Sequence, residues 1–404
     1  MKQGWQTKAL GEVCDVIGGG TPSKNNAAFY AGNIPWATVR DMRHEVITET
    51  ECCITKEAVR SSATNVIPAN NVVIATRVGL GKVCLLGQDT AINQDLRALI
   101  PRDNKTVSVR FLFWWLKTMA DTIIAEGTGA TVQGVKLPFI KSLQLPVPPL
   151  ADQRRVVRIL DEAFAELATV KANTEKNLQN ARAVFESRLE TVFAEGGEGW
   201  EEVTVGDVCD IKHGFAFDGA DFSSNVPDGS PLIITPGNFT EDGRLLFNEK
   251  NTKRFSGSPP PGLSFEIDDL VVVMTDLSSK MKILGKPAFI DRPNVLHNQR
   301  IGRVILKTDD INKRILYYFM RTRRFSENIK DTSTGTMVRH TAPRRILANS
   351  FLYPKKLKEQ KAVVAKLDNL EAETSRLAHL YQKKLSALED LRKSVLHKAF
   401  SGQL

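Results

Sequence analysis

From Val156 onward, apolar positions recur every three or four residues: Val156, Leu160, Ala163, Leu167, Val170, Thr174, Leu178, Ala181, Phe185, Arg188 and Val192. That spacing draws one stripe along an α-helix, the seam of a coiled coil. The stripe returns 207 residues later, at Val363, Leu367, Leu370, Thr374, Leu377, Tyr381, Leu385, Leu388, Arg392, Val395 and Ala399. No Gly or Pro interrupts 151–194 or 357–401. Both segments are therefore predicted to be continuous helices, each about 65 Å long at ~1.5 Å per residue. A helix with one apolar stripe cannot bury it alone. Two such helices in one chain predict an antiparallel intramolecular pair with a globular unit at each end. Homodimerisation, or a purely structural role, would satisfy the same periodicity. Elsewhere, β-rich runs at Val72–Thr76 and Leu270–Thr275 predict strands, and Phe111–Met119 and Ile315–Arg321 predict helices.

The repetition extends beyond the helices. Trp5 leads Leu10-Gly11-Glu12-Val13-Cys14-Asp15-Val16, and Trp200 leads Val205-Gly206-Asp207-Val208-Cys209-Asp210-Ile211. Asn93-Gln94 returns as Asn298-Gln299, and Arg110-Phe111-Leu112-Phe113-Trp114-Trp115-Leu116 as Arg314-Ile315-Leu316-Tyr317-Tyr318-Phe319-Met320. The loop Thr128-Gly129-Ala130-Thr131-Val132 returns as Thr334-Gly335-Thr336-Met337-Val338. The offset drifts in the first part of the second copy, around Asp218 to Pro261. That stretch is rich in Gly, Pro, Ser and Asp and reads as loop. Matched ends with divergent middles imply a duplicated scaffold carrying two different variable surfaces.

A tryptophan-led Leu-Gly-Glu-Val start, a mid-domain Asn-Gln, a Thr-Gly loop and a Pro-Pro-Leu-x-x-Gln step into a long helix, repeated in that order, resemble the specificity subunits of type I restriction–modification systems. The resemblance spans nearly the whole chain. It implies an α+β fold with an internal pseudo-two-fold repeat: two mixed α/β target-recognition domains separated by two long α-helices packed as an antiparallel intramolecular coiled coil. The recognition domains would be 1–147 and 196–352, and the helical spacers 148–195 and 353–404. Each recognition domain would read one half of a bipartite site in double-stranded DNA. Two modification subunits would methylate adenine, and two restriction (motor–nuclease) subunits would join where the assembly cleaves. S-adenosylmethionine, ATP and Mg would then belong to those partners, with no cofactor, metal or catalysis in this chain. Two departures stand out. Asp152-Gln153 replaces the usual Glu-Gln at the first helix, and Tyr353-Pro354-Lys355-Lys356 replaces the Pro-Pro of Val147-Pro148-Pro149.

Composition adds little and excludes more. Net charge is +9, which favours polyanion partners, but the excess is spread along the chain. No apolar run reaches the length of about eighteen residues that a membrane span needs, and no apolar signal core opens the sequence. Five cysteines without a Cys-x-x-Cys pair fit a reducing cytoplasm. The (Asn/Asp)-Pro-Pro-(Tyr/Phe) loop of adenine methyltransferases, which must hold a flipped base, is missing from both Pro-Pro sites. In the Gly79-Leu80-Gly81-Lys82-Val83 run, Thr76 holds the first glycine position of a phosphate-binding loop and Val83 the hydroxyl position. Glu359-Gln360-Lys361 opens a helix with no partner carboxylate. A stand-alone DNA-binding protein, or a coiled-coil scaffold without modification partners, is the alternative reading.

Base reading needs side chains that fork onto base edges; phosphate contacts need cations or amides. The candidates are Lys24, Arg40, Arg43, Arg77, Thr131 and Gln133 in the first domain, and Lys212, Lys280, Lys282, Arg300, Thr336 and Arg339 in the second. Positions that differ between the copies, such as Gln133 against Arg339, are the better candidates for specificity. The shared Asn93-Gln94 and Asn298-Gln299 are read as structural or backbone-binding, and Trp114-Trp115 as core. Val156, Leu160, Leu167, Leu178, Val363, Leu367, Leu377 and Leu385 are the expected spacer-helix contacts.

Overall fold

The computed structural model describes residues 4–404 except 130–132, 220–221, 224–228, 258 and 260. Two helices dominate it, Leu150–Glu195 and Leu357–Ser401. The chain forms two compact units: residues 1–175 with 382–404, and residues 176–381. Each long helix therefore contributes to both.

In the first unit, Cys14–Gly18, Leu96–Pro101, Val72–Ala75, Val83–Leu86 and Val46–Ile47 form a five-stranded sheet in that order. A second sheet orders Cys52–Ile54, Ile34–Ala37, Thr90–Ile92 and Asn65–Ile67. The second unit repeats the plan. Cys209–His213, Ile301–Leu306, Leu270–Val273 and Pro287–Phe289 form one sheet. Phe222–Ser223, Arg254–Phe255, Leu232–Ile233 and Val295–Leu296 form the other. The Gly- and Pro-rich stretch after Asp218, expected as loop, thus supplies three two-residue strands. Their pairing partners are distant in sequence, so no local pattern announces them. In each unit a further strand pair brackets the domain: Gln6↔Val147 and Trp200↔Pro354 open antiparallel ladders.

The helices Val109–Thr118 and Lys313–Arg321 lie at the centre of the two cores, with Trp114, Trp115, Tyr318 and Phe319 buried. Each is tied to a long helix by the same two devices. Gln153, fully buried, accepts the Ser108 amide at 2.9 Å and donates to the carbonyls of Thr106 (2.8 Å) and Pro148 (2.9 Å). Gln360, also fully buried, accepts the Asn312 amide at 2.7 Å and donates to Asp310 O at 2.9 Å. Ser108 and Asn312 are the N-caps of the two short helices, so the glutamine of the repeated Asp/Glu-Gln step fixes a helix start. About two helical turns further on, Asp161 accepts Arg110 (2.9 Å) and the Trp114 indole (2.7 Å), while Asp368 accepts Arg314 (2.7 Å) and the Tyr318 hydroxyl. Replacing Gln360 with alanine leaves the partly buried Asn312 amide and Asp310 carbonyl without this partner. We expect a loss of about 1–3 kcal/mol in the second unit, with accelerated hydrogen exchange at the Asn312 amide as the local signature.

The seam holds in part. Val156, Leu160 and Leu367 are buried, and Leu167, Leu178, Val363 and Leu385 half-buried. Leu377 is instead 37% exposed, and Arg188 is exposed while Leu189 is buried. From Ala181 the buried positions step by four, to Phe185, Leu189 and Phe193. There the helix packs against the globular core rather than along a coiled-coil stripe, so a 3.5-residue extrapolation slips off the buried face. In the first unit the helical segments run antiparallel: Lys171 pairs with Glu389 at 2.9 Å, and Arg155 donates to the carbonyl of Leu404.

Candidate nucleic-acid interface

Each unit carries the same small backbone frame beside its main sheet. In the first, the Thr76 amide donates to Asp95 O (2.8 Å) and the Val135 amide to Thr76 O (2.9 Å). The Thr-Gly loop closes on itself, with Thr128 N to Gly134 O at 3.1 Å and Gly134 N to Thr128 O at 2.9 Å, and Arg77 bridges Gly134. In the second, Met274 N donates to Arg300 O (2.9 Å) and Thr341 N to Met274 O (2.9 Å). Thr334 N donates to His340 O (3.0 Å), His340 N returns to Thr334 O (2.9 Å), and Thr275 pairs with His340. The connectivity is the same throughout, so it defines equivalent positions: Arg77 with Thr275, Asp95 with Arg300, Gln133 with Arg339, and Gly134 with His340.

The glycine of each loop is required by this closure. Gly129 and Gly335 have φ of +129° and +96°, which favours glycine. A Cβ on Gly335 would also sit 2.0 Å from the Val338 carbonyl oxygen. The repeated asparagines set the turn that feeds the frame. Asn93 Oδ1 accepts the Asp95 amide at 3.1 Å, and Asn298 Oδ1 the Arg300 amide at 2.9 Å. Both asparagines are buried.

The backbone frames match, but their side chains do not. In the first unit Arg77 lies 3.7 Å from Asp95. Arg97 donates to the carbonyls of Gln94 and Leu96; burial, and then the charge of Arg77, pull its pKa below the ordinary arginine range. Gln133 is exposed. In the second unit the Thr275 hydroxyl and His340 Nδ1 are 3.0 Å apart, and Arg300 is exposed. Arg339 Nε and Thr341 Oγ1 are buried without a hydrogen-bond partner.

The remaining sequence candidates distribute unevenly. Thr336 is exposed on the second hairpin, and Lys280 on the loop beside it; Thr131 lies outside the described residues. Arg40 and Arg43 form a separate cluster around Glu51. Lys24 is exposed in a turn. Lys282 is engaged by Glu241 at 2.6 Å, and Lys212 stands opposite Arg303 on an outer strand. Sequence reasoning passed over Asp95, Arg97, Thr275 and His340. They join the frame through strand register, and only the repeated Asn-x-x spacing hinted at Asp95 and Arg300. Burial pushes the thiols of Cys14, Cys84 and Cys209 up to about 12, about 11 and about 12, which leaves them protonated and unreactive at neutral pH.

The model of the type I restriction modification DNA specificity domain matches residues 2–179 and 197–387. The EcoR124I/EcoR124II type I restriction enzyme specificity subunit of Escherichia coli is 37% identical over 194 residues, covering 46% of this chain and 48% of that protein. The MjaIX specificity subunit of Methanocaldococcus jannaschii is 24% identical over 231 residues, 52% of each. The chain thus spans about half the length of these two relatives. The MjaVIII specificity subunit of the same organism aligns over 99% of this chain and 93% of its own, at 21% identity. In fold, the chain resembles one from a solved structure concerned with assembly and conformational transition of a type I R-M system (TM-score 0.78, 18% identity, covering 100% and 99% of the two chains). It also resembles the HsdS subunit from Thermoanaerobacter tengcongensis (TM-score 0.61, 18% identity, covering 100% and 98%).

Proposed function

The chain belongs to the type I restriction–modification DNA specificity family, and from that premise we propose that it is the sequence-reading subunit of such an enzyme. Each unit reads one half of an asymmetric bipartite site in double-stranded DNA. The chain does no chemistry itself. It directs adenine methylation by two modification subunits and, where restriction subunits are bound, cleavage; S-adenosylmethionine, ATP and Mg act on those partners in the cytoplasm. Residues 1–147 and 196–352 are the recognition domains, and 148–195 and 353–404 the spacers to which partners dock.

One observation carries this reading: a backbone frame with the same core of hydrogen bonds in both units holds Arg77, Asp95 and Gln133 in one but Thr275, Arg300 and Arg339 in the other. A common frame with different hydrogen-bonding groups suits one way of approaching DNA and two different base sequences. Arginine forks onto guanine, glutamine onto adenine, and a carboxylate accepts from cytosine. Genome-wide mapping of adenine methylation, with and without this gene and with the modification subunit present in both, tests the proposal. Loss of methylation at one bipartite motif with unequal halves is the expected result. An unchanged map would favour a stand-alone or scaffold protein.

A further inference from the structure

The second unit places three large apolar side chains in solvent where its reading frame ends. Leu277 is 59% exposed, Met337 79% and Val338 38%. Single exposed apolar residues are ordinary, but these three flank the end of one short ladder. The ladder Thr275↔His340 and Asp276↔Arg339 ends there; Leu277 is the next residue on one side and Val338 the next on the other, with Met337 one residue beyond it at the hairpin tip.

Both loops that carry the tip are held in shape. The Asp276 carboxylate accepts the Ser278 amide at 2.8 Å and the Ile283 amide at 3.0 Å, closing the loop between them. The Ser333 hydroxyl contacts Met281 Sδ at 3.4 Å, tying that loop to the base of the hairpin. Arg345 donates to the Thr334 hydroxyl at 3.3 Å. An apolar tip fixed in this way is preorganised for a contact and need not be ordered on binding.

The surrounding charge indicates what kind of surface it meets. Lys280, Lys282, Arg339, Arg344 and Arg345 lie on the two loops and the helix Pro343–Leu347 that follows. Asp276 among them is occupied by loop amides, and Glu241 offsets Lys282 at 2.6 Å, so the net positive charge of the rim comes from Lys280, Arg339, Arg344 and Arg345. A cationic rim around an apolar tip fits a polyanion that also offers an apolar group. Duplex DNA offers one at its base edges, the 5-methyl of thymine in the major groove.

We propose that Leu277, Met337 and Val338 read a thymine in the half-site of the second unit through its 5-methyl group. This rests on the DNA-reading function proposed above and assigns it an apolar component beside the hydrogen-bonding one.

The test uses the full chain assembled with its modification subunits and duplexes carrying the methylated motif. Each thymine of the half-site is replaced in turn by deoxyuridine, which removes only the methyl group. One replacement should weaken binding roughly fourfold, the effect of leaving one methyl group unburied, and replacements in the other half-site should have no effect. Met337→Ala should bind the thymine duplex less tightly by a similar factor and should no longer distinguish deoxyuridine. Its thermal midpoint should match the wild type, because the side chain is mostly in solvent. Tolerance of deoxyuridine at every position of that half-site overturns the inference but leaves the bipartite reading standing. Uniform weakening of Met337→Ala with retained deoxyuridine sensitivity also overturns it, making the tip a sequence-blind contact. Failure to bind the motif at all removes both proposals together.

Discussion

Replacing Glu371 with alanine is expected to destabilise the second unit by about 3–5 kcal/mol, because it leaves a buried guanidinium unpaired. Arg321 is 7% exposed in its side chain and pairs with Glu371 through two oxygens, at 2.8 and 3.0 Å. The guanidinium also donates to the Tyr317 hydroxyl at 3.0 Å and lies 4.9 Å from the ring centroids of Phe185 and Tyr317. Burial alone would lower its pKa, yet the bond to Glu371 and the neighbouring groups raise it above the ordinary value. The cation therefore stays charged and depends on its carboxylate. For a domain of this size each kcal/mol lowers the midpoint by about 2–4 °C, so the unfolding transition of this unit should move by roughly 10 °C. The first unit supplies a control. Lys117 holds the position matching Arg321 and pairs with Glu45 at 3.4 Å, a carboxylate 43% exposed. Lys117→Ala should cost less than Glu371→Ala, because the carboxylate it leaves behind is 43% exposed and stays solvated. Calorimetry combined with hydrogen exchange in 176–381 separates the two cases. A shift no larger for Glu371→Ala than for Lys117→Ala would show that the buried pair contributes little.

The second large effect concerns recognition. Arg339→Ala is expected to relax discrimination at one base pair of one half-site, by about 1–3 kcal/mol or roughly 5- to 150-fold. Arg339 occupies the place of Gln133 in the repeated frame, and its Nε is buried without a partner. Lys280→Ala, on the exposed neighbouring loop, should instead weaken all sequences alike and flatten the salt dependence of binding by about one unit of slope. Competition binding against single-base variants of the motif reads both outcomes. If Arg339→Ala weakened every variant equally, Arg339 would be a phosphate contact.

Much of the architecture could be read along the chain because it was written locally. The two long helices announce themselves through uninterrupted three- and four-residue spacing, and they end within a residue or two of where Gly and Pro permit. The aromatic stretches after Arg110 and Arg314 form buried helices, as apolar density at helical spacing requires. The duplication showed that these parts belong to one unit used twice. The repeated Gln153 and Gln360 could be seen to matter but not why, because their partners lie 45 and 48 residues earlier at the caps of other helices.

What the sequence determined by itself was the repeat, the helices, the core aromatics and the family resemblance, all of which depend on short-range pattern or on the comparison of one half with the other. The repeated backbone frame was decided only in three dimensions. Arg77 meets Gly134 across 57 residues and Asp276 meets Arg339 across 63, and nothing local specifies a strand register between segments so far apart. The same limit explains the exposed Leu377 and the exchange of Arg188 for Leu189. A periodic stripe states that one face of a helix is apolar, but the surface packed against that face selects which of its residues are buried.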